Sequence, residues 1–349
     1  MSRVSIIVPV RDGGERFCAC LKAVAARSPA PGELIVVMDG SGEEDAEAAA
    51  RFGARVFHTS TAHGPAAARN LGAKHAVGQI LLFLDADVLP APDVVEKVDE
   101  AFETRPEMAA LFGSYDDAPG EANLLSQYKN LFHHYVHQMG REDAFTFWSG
   151  CGAIRRAIFL AMGGFDQKIY TRPAIEDIEL GYRLRRAGHA ICLRKDIQVK
   201  HLKRWTALSL LKTDYALRAV PWTRLILRDG TLPNDLNLST ANRLSAAMAG
   251  LMMMAVCMGA AYWPALLAVP ILVIGLLVAN ARLYRFFAAK RGVGFALVAI
   301  PWHWVYYLCG GTAFAIVTAI HLLCGSANGD EPPTPIFDGN RTAVGTKAV

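Results

Sequence analysis

The sequence predicts an α/β domain built on a doubly wound sheet, followed by a C-terminal region of membrane-spanning helices. Three observations predict it. Short apolar runs alternate with helical patterns along the first part of the chain. Two of those runs end on aspartates, Asp39 and Asp85. Two stretches without Asp, Glu, Lys or Arg, Leu244 to Ala281 and Gly292 to Gly329, occupy the C-terminal part.

Val4-Ser5-Ile6-Ile7-Val8 reads as a buried strand, and a helical segment from about Glu15 to Arg27 follows. Leu34 to Met38 is a second strand, ending at Asp39-Gly40. Glu43 to Phe52 is alanine-rich and helical, Arg55-Val56-Phe57 is a short strand, and Pro65 to Ala76 is a helix. Pro65 stands near that helix's start, where a missing N–H is tolerated. Ile80 to Leu84 is the strongest strand. Continuous apolar runs suit parallel strands covered by helices on both faces, and the βαβα order argues for a doubly wound sheet. Ligands of open sheets bind beyond the carboxyl ends of the strands, where Asp39 and Asp85 stand. Leu124 to Met139 and Glu176 to Ala187 read as further helices.

Each charge-free stretch exceeds the span of about 20 apolar residues that a bilayer needs. Leu244 to Trp263 and Pro264 to Ala281 read as two spans joined at an aromatic corner, and a third, tilted span lies within Phe295 to Leu323. Arg282, Arg285, Lys290 and Arg291 form a basic loop between stretches, which the positive-inside tendency places in the cytosol. Met1 to Arg3 with the short run Val4 to Val10 lacks the design of a signal peptide, so the α/β part is expected to be cytosolic. Lys203 to Gly230 mixes Trp205, Trp222 and four arginines with leucines, as an interfacial segment would. The expected organisation is an α/β domain over 1–205, an interfacial linker over 206–240, about three spans over 241–325 and a disordered tail over 326–349.

The chain has 349 residues and a net charge of +4, which calls for no nucleic-acid partner. Its seven cysteines show neither a zinc spacing nor a disulfide framework. No Gly-x-Gly-x-x-Gly follows the first strand, which argues against a dinucleotide-binding oxidoreductase.

Asp85-Ala86-Asp87 carries the clearest chemistry. Hard divalent cations take oxygen ligands, and Mg²⁺ is held by few carboxylates together with substrate phosphates. Read alone, the triplet fits a solvated turn equally well. The surrounding text narrows the choice. The sequence resembles the family-2 glycosyltransferases, inverting enzymes of the GT-A fold. The resemblance rests on Val4 to Val10, Val36-Val37-Met38-Asp39-Gly40-Ser41, Gly64 to Asn70 and Phe83-Leu84-Asp85-Ala86-Asp87. It continues through Trp148-Ser149-Gly150-Cys151-Gly152, Gly163-Gly164-Phe165-Asp166 and Glu176-Asp177-Ile178-Glu179-Leu180, covering roughly residues 3 to 205.

The resemblance implies a GT-A, Rossmann-like mixed sheet, a nucleotide-diphosphate sugar donor (UDP- or GDP-linked), Mn²⁺ or Mg²⁺, and inversion at the anomeric carbon. Matched by position, it implies that Asp39 contacts the base or ribose, that Pro9 and Arg11 line the same pocket, and that Asp85 lies near the ribose. It places Arg69 near the nucleotide, although a helix-surface salt bridge would also explain that arginine. It makes Asp87 the metal ligand and Asp177 the general base, while a helix N-terminal acid would look the same in sequence. Glu176 shapes the site or contacts the acceptor, beside Trp148 and Gly150. His201-Leu202-Lys203-Arg204-Trp205 is similar to the Gln-x-x-Arg-Trp element of polymer-forming members, with His in place of Gln. It implies His201 as second metal ligand, Arg204 on the diphosphate and Trp205 against the acceptor, and the departure from Gln argues against processive synthesis. An interfacial His-Arg-Trp cluster is the alternative.

His133, His134 and His137 lack an adjacent carboxylate and are expected to be exposed or to face the acceptor. His303 could line a bundle interior. A basic, Trp-containing segment joining site to spans suggests a lipid acceptor, such as a polyprenyl phosphate or a glycerolipid, at the inner membrane of a bacterial-type cell. A processive polysaccharide synthase is the competing enzyme. A membrane scaffold that kept the fold is the competitor of another class.

Overall fold

The computed structural model describes residues 3–26, 31–40, 42–60 and 63–324. The tail expected to be disordered, Ser41 and Arg27 lie outside the described residues. The elements in chain order are β1 (Val4–Val10), α1 (Gly14–Ala25), β2 (Glu33–Met38), α2 (Glu43–Arg51), β3 (Arg55–His58), α3 (Pro65–His75), β4 (Ile80–Leu84) and β5 (Val88–Pro90). Next come α4 (Val94–Thr104), β6 (Met108–Tyr115), α5 (Leu124–Met139), β7 (Cys151–Arg155), α6 (Arg156–Ala161), α7 (Glu176–Arg186) and β8 (Ala190–His201). The remainder is helical: α8 (Ala207–Lys212), a π-helix (Thr213–Ala219), α9 (Val220–Asp229), α10 (Thr240–Gly259), α11 (Ala268–Ala279), α12 (Ala281–Arg291) and α13 (Val293–Cys324).

One eight-stranded sheet runs in the order β3-β2-β1-β4-β7-β6-β8-β5. Strands β3, β2, β1 and β4 are parallel, giving this half of the sheet its doubly wound character. β7 enters antiparallel between β4 and β6, and β5 closes the edge antiparallel to β8, so the sheet is mixed. Every residue of β1 and β4 is buried, as strands covered on both faces require. The covering helices show the matching stripe: Phe17, Cys20, Leu21 and Val24 of α1 are buried at helical spacing. Helix α7 starts with Glu176, Asp177 and Glu179 and ends with Arg183, Arg185 and Arg186, so its charges oppose its macrodipole.

The C-terminal region departs from the sequence expectation in two ways. The apolar piece after α10 matches the expected second span in place but does not run straight on into the basic segment. A 3₁₀ turn (Trp263–Leu267) and α11 run into α12 with a bend of 65°. Among the described residues, two helices, Thr240–Gly259 and Val293–Leu323, are long and apolar enough to cross a membrane, or up to three if the bent pair counts as one span. The last is a single helix that carries Pro301 within it. The basic segment Arg282–Arg291, expected as a loop, is helix α12. Leu283, Tyr284 and Phe287 are buried on one of its faces and join Tyr128, Leu131 and Phe132 of α5 in one apolar cluster. Lys290 pairs with Asp117 at 2.6 Å, and Arg291 donates to the Asp117 carbonyl at 2.7 Å, which ties the bent helix to the sheet domain. Inside the helical region the Tyr307 hydroxyl lies 2.6 Å from Asn280 Oδ1 and 3.0 Å from Asn242 Oδ1. Outside it, Leu251, Met254, Ile271, Ile274, Leu297, Val298 and Ile320 stay exposed, an apolar surface that a soluble protein rarely carries.

Candidate functional site

A cavity of about 820 Å³ opens beyond the carboxyl ends of β1, β2, β4 and β6, within the size range of about 300–1,000 Å³ typical of small-molecule sites. Pro9, Arg11, Asp39, Arg69, Asp85, Asp87, Trp148, Gly150, Glu176, Asp177, His201 and Trp205 all line it. Residues picked from scattered motifs are thus brought to one crevice.

Asp39 is buried at the end of β2. Its Oδ1 accepts from the Thr59 hydroxyl (3.0 Å) and the His63 N–H (2.8 Å), and its Oδ2 from the Gly64 N–H (2.9 Å). The carboxylate therefore holds the loop that leads into α3. Gly64 adopts φ +88°, and a Cβ there would meet the Thr171 carbonyl oxygen at 2.5 Å, so the loop closes only with glycine.

Arg69 is not a surface residue. It is 4% exposed, and its guanidinium joins two parts of the site. Nη2 donates to Asp85 Oδ1 at 2.7 Å and Nη1 to Glu176 Oε1 at 2.9 Å. Burial opposes its charge, but Asp85 and Glu176 outweigh that cost and hold its pKa above the ordinary value. Desolvation pushes Asp85 upward, with Arg69 opposing and Asp87 adding to the rise. Glu176 is raised for the same leading reason. Its Oε2 accepts from the Ala174 N–H at 3.0 Å, so both its oxygens are engaged in holding the entry to α7.

Asp87 and His201 meet because β5 pairs antiparallel with β8. Val88 lies opposite His201, and the Leu202 N–H donates to the Asp87 carbonyl at 2.8 Å. Nε2 of His201 lies 3.7 Å from Asp87 Oδ2. Desolvation alone would raise Asp87, but the His201 hydrogen bond and charge, with Lys203, hold it below the ordinary carboxylate value. Tyr115 stacks on the His201 ring at 4.3 Å and 12°, fixing its plane. One carboxylate oxygen and one imidazole nitrogen suit Mn²⁺ better than Mg²⁺, which prefers oxygen alone. Among the described residues no group of three or more His, Cys, Asp or Glu gathers as a cage. A cation held here would complete its shell with phosphate oxygens and water, as such ions do at substrate-phosphate sites.

Asp177, in the first turn of α7, lines the same cavity. Its Oδ2 accepts from the Ser149 N–H (2.9 Å) and hydroxyl (3.1 Å), which fixes the carboxylate against the Trp148-Ser149-Gly150 turn. A Cβ on Gly150 would lie 2.5 Å from the Trp148 ring, so glycine lets the indole fold back into the crevice. An oriented carboxylate at the cavity wall is able to take a proton from a bound hydroxyl.

Arg204 is a correction. It does not line the cavity, its side chain is 64% exposed, and it pairs with Glu121 at 3.6 Å. The chain leaves β8 extended, so alternate residues share a face. His201, Lys203 and Trp205 turn inward and Arg204 turns out. Lys203 takes the inner place, its Nζ 4.3 Å from the Trp205 ring. The histidines of α5 are corrected only as to exposure. His134 and His137 are buried, bonded through Nδ1 to the carbonyls of Tyr115 (2.7 Å) and Gly113 (3.1 Å), while His133 and His137 form part of the cavity wall. Sequence reasoning missed Tyr115 and Ser149. Tyr115 ends an apolar run just as Asp39 and Asp85 do, and that position was the available signal. It also left Arg218 and Trp222 in an interfacial segment, whereas both reach the cavity.

With this geometry in view, similarity to known proteins decides the family. Residues 5–163 match the family described as "Glycosyl transferase family 2".

These residues are a family-2 glycosyl transferase domain.

The chain is 34% identical over 99 residues to an uncharacterized glycosyltransferase of Rickettsia conorii, covering 27% of this chain and 16% of that protein. It is 36% identical over 91 residues to the 4,4'-diaponeurosporenoate glycosyltransferase of Staphylococcus haemolyticus, covering 24% of each. It is 28% identical over 199 residues to the pre-mycofactocin glycosyltransferase of Mycobacterium tuberculosis, covering 53% of this chain and 39% of that one. The chain therefore spans well under half the length of these curated relatives. Among solved structures it resembles a mannosyltransferase of Pyrobaculum calidifontis, determined with GDP-Man and Mn²⁺, at a TM-score of 0.55 and 18% identity. That likeness covers 93% of this chain and 88% of the other, and it shows the GT-A fold of the glycosyltransferase domain together with its helical extension.

Proposed function

We propose that this chain transfers a sugar, with inversion, from a nucleotide-diphosphate donor to a lipid or lipid-linked acceptor at a membrane. The observation that carries the reading is the convergence of Asp87 and His201, 3.7 Å apart, on a cavity that Asp177 also lines. The nucleoside lies along Pro9, Arg11 and Asp39, with Asp85 toward the ribose. The diphosphate lies toward Asp87, His201 and Lys203. A divalent ion held by Asp87 and His201 would neutralise charge on the departing diphosphate. Arg69 holds Asp85 and Glu176 in place, so the donor side and the base side keep a fixed separation. Asp177, oriented by Ser149, removes the proton of the attacking hydroxyl, and Trp148 and Trp205 wall the acceptor. A phosphate acceptor would need no such base.

The membrane part of the proposal draws on α10, α13 and the exposed apolar surface around them. It places the sheet domain in the cytosol against the inner membrane. The test is to incubate membranes containing the full chain with radiolabelled UDP- and GDP-sugars and Mn²⁺, then extract with organic solvent. Label in the organic phase supports the reading. Label confined to water-soluble polymer would replace it with polymer synthesis, and no transfer from any donor would leave a scaffold.

A further inference from the structure

The chain between α9 and α10 leads into a helix able to cross a membrane, and it forms part of the cavity wall on the way. Leu236 and Asn237 of its short 3₁₀ turn (Leu236–Leu238) both line the cavity. Among the described residues two non-glycines have a positive φ, Asp12 at 52° and Leu236 at 43°, and both line this cavity. Aspartate tolerates that backbone, whereas leucine is strained in it. Such strain persists where the surroundings enforce it, and it gathers at ligand sites.

The surroundings of Leu236 do enforce it. Asp235 Oδ2 accepts from the Phe145 N–H and its Oδ1 from the Leu236 N–H, both at 2.9 Å. The Leu236 carbonyl accepts from Asn242 Nδ2 at 3.2 Å, and Asn234 Oδ1 accepts from the Thr240 N–H at 2.7 Å, which fastens the turn to α10. Leu236 also fills the space that Gly140 leaves after α5, where a Cβ would lie 2.7 Å from Leu236 Cδ2. The turn is wedged between α5, the segment before β7 and the start of α10.

This framework presents Asn237, whose Oδ1 is buried without a hydrogen-bond partner. A buried, unpaired oxygen of this kind is costly unless a ligand answers it. The ionised diphosphate of a donor does not, because its oxygens only accept. A hydroxyl does. In either orientation of the amide an acceptor stands beside two N–H donors, the combination that neighbouring sugar hydroxyls complete. Arg218 lines the cavity as well, but a guanidinium is a pure donor that hydroxyl oxygens also satisfy.

The elements that grip the turn add neutral polar groups to the same wall. His137 spends Nδ1 on the Gly113 carbonyl at 3.1 Å, and burial pushes its pKa down to about 3, so the ring is uncharged. The Thr146 hydroxyl stands next to Phe145 in sequence, and Thr146 lines the cavity. Gly181 of α7 packs on this segment, since a Cβ there would lie 2.5 Å from the Phe147 nitrogen. Gly181 follows Asp177 by one turn of α7, so the wall that carries Thr146 abuts the helix that carries the proposed base.

We propose that Asn237 is a specificity-determining residue that hydrogen-bonds a hydroxyl of an uncharged, sugar-type group held in this part of the cavity. The inference rests on the transfer reading above and names what the site selects. Two bearers present such a hydroxyl, the sugar of the donor and a hydroxyl-bearing acceptor, and the experiment separates them.

The full chain in phosphatidylcholine nanodiscs with Mn²⁺ is titrated calorimetrically with UDP, GDP, UDP-glucose, UDP-galactose and GDP-mannose. Methyl glucoside, methyl galactoside and methyl mannoside are titrated by saturation-transfer NMR in the presence of UDP or GDP. Asn237→Leu, of similar volume, should weaken one of two things by about three- to tenfold, the worth of a neutral hydrogen bond. Loss of the affinity that the sugar adds to its nucleotide assigns Asn237 to the donor. Loss of glycoside binding assigns it to the acceptor. Asn237→Asp, which keeps an oxygen acceptor in place, should retain more of the affinity than Asn237→Leu. UDP and GDP binding within about twofold of the unsubstituted chain checks the fold. Both sugar readouts unchanged in Asn237→Leu would overturn the proposal. So would a panel in which no sugar adds affinity and no glycoside binds the unsubstituted chain, or an equal loss of nucleotide binding in the variant, which would assign Asn237 to the framework. If the unsubstituted chain bound neither UDP nor GDP, the transfer reading itself would fall, and this assignment with it.

Discussion

Nε2 of His201 stands 3.7 Å from Oδ2 of Asp87, and the pair exists only because β5 folds back along the far end of β8. Two ligands hold a cation weakly without help from substrate. Activity should therefore vanish with EDTA and return with Mn²⁺. His201→Ala or Asp87→Asn should raise the Mn²⁺ concentration needed by about two orders of magnitude, as expected for losing ~3 kcal/mol of binding. A Mn²⁺ titration of initial rates reads this directly. An unshifted midpoint in both variants would remove the pair as the metal site.

Asp177→Asn keeps the shape and the contacts to Ser149 but not the basicity. If the side chain removes a proton, kcat should fall by about 10²–10⁴ with donor KM nearly unchanged. If it only complements the α7 dipole, kcat should hold and Tm should drop slightly. Measuring both quantities on one preparation separates the roles.

Arg69→Met should destabilise the sheet domain by about 3–5 kcal/mol, because it strands two carboxylates that share one buried guanidinium. The loss should depend on pH. Glu176 already has its pKa raised above the ordinary 4.5, and removing Arg69 raises it further. A carboxyl with a raised folded-state pKa binds more protons folded than unfolded, so stability falls as pH rises from the ordinary value through the raised one. Thermal unfolding should show the variant closest to the parent near pH 5 and furthest from it near pH 8. The same deficit at both values would mean that Glu176 stays charged throughout.

Lys129 and Asp214 join α5 to the π-helix in a buried pair. Lys129→Met alone should cost about 3–5 kcal/mol, since Asp214 is left charged and unpaired, as should Asp214→Asn alone. The double variant, Lys129→Met with Asp214→Leu, should lie closer to the parent than either single change. A double-mutant cycle by chemical unfolding would measure the coupling. An additive cycle would mean that the pair does not hold the π-helix.

The short strands were readable because burial on both faces demands unbroken apolar runs, and Val4–Val10, Leu34–Met38 and Ile80–Leu84 supply them. The carboxylates that close those strands were readable because a polar residue after such a run has to face a crevice or solvent. Arg204 was misjudged because the direction of a side chain depends on the register in which β8 leaves the sheet, and one residue of difference exchanges inside for outside. His133 and His137 of α5 do face the cavity, but the burial of His134 and His137 was not legible, because their bonds to the Tyr115 and Gly113 carbonyls depend on how α5 packs back on β6.

By itself, the sequence determined the α/β architecture, the apolar C-terminal helices and the residue types of the site, since these follow from periodicity, length and the chemistry of each side chain. Only the tertiary structure decided which of those residues meet. It set Arg69 between Asp85 and Glu176, exchanged Lys203 for Arg204, bent α12 by 65° from the apolar piece before it and turned Arg218 into the cavity. Contacts of that kind depend on strand order, register and the packing of distant helices, which a local pattern does not encode.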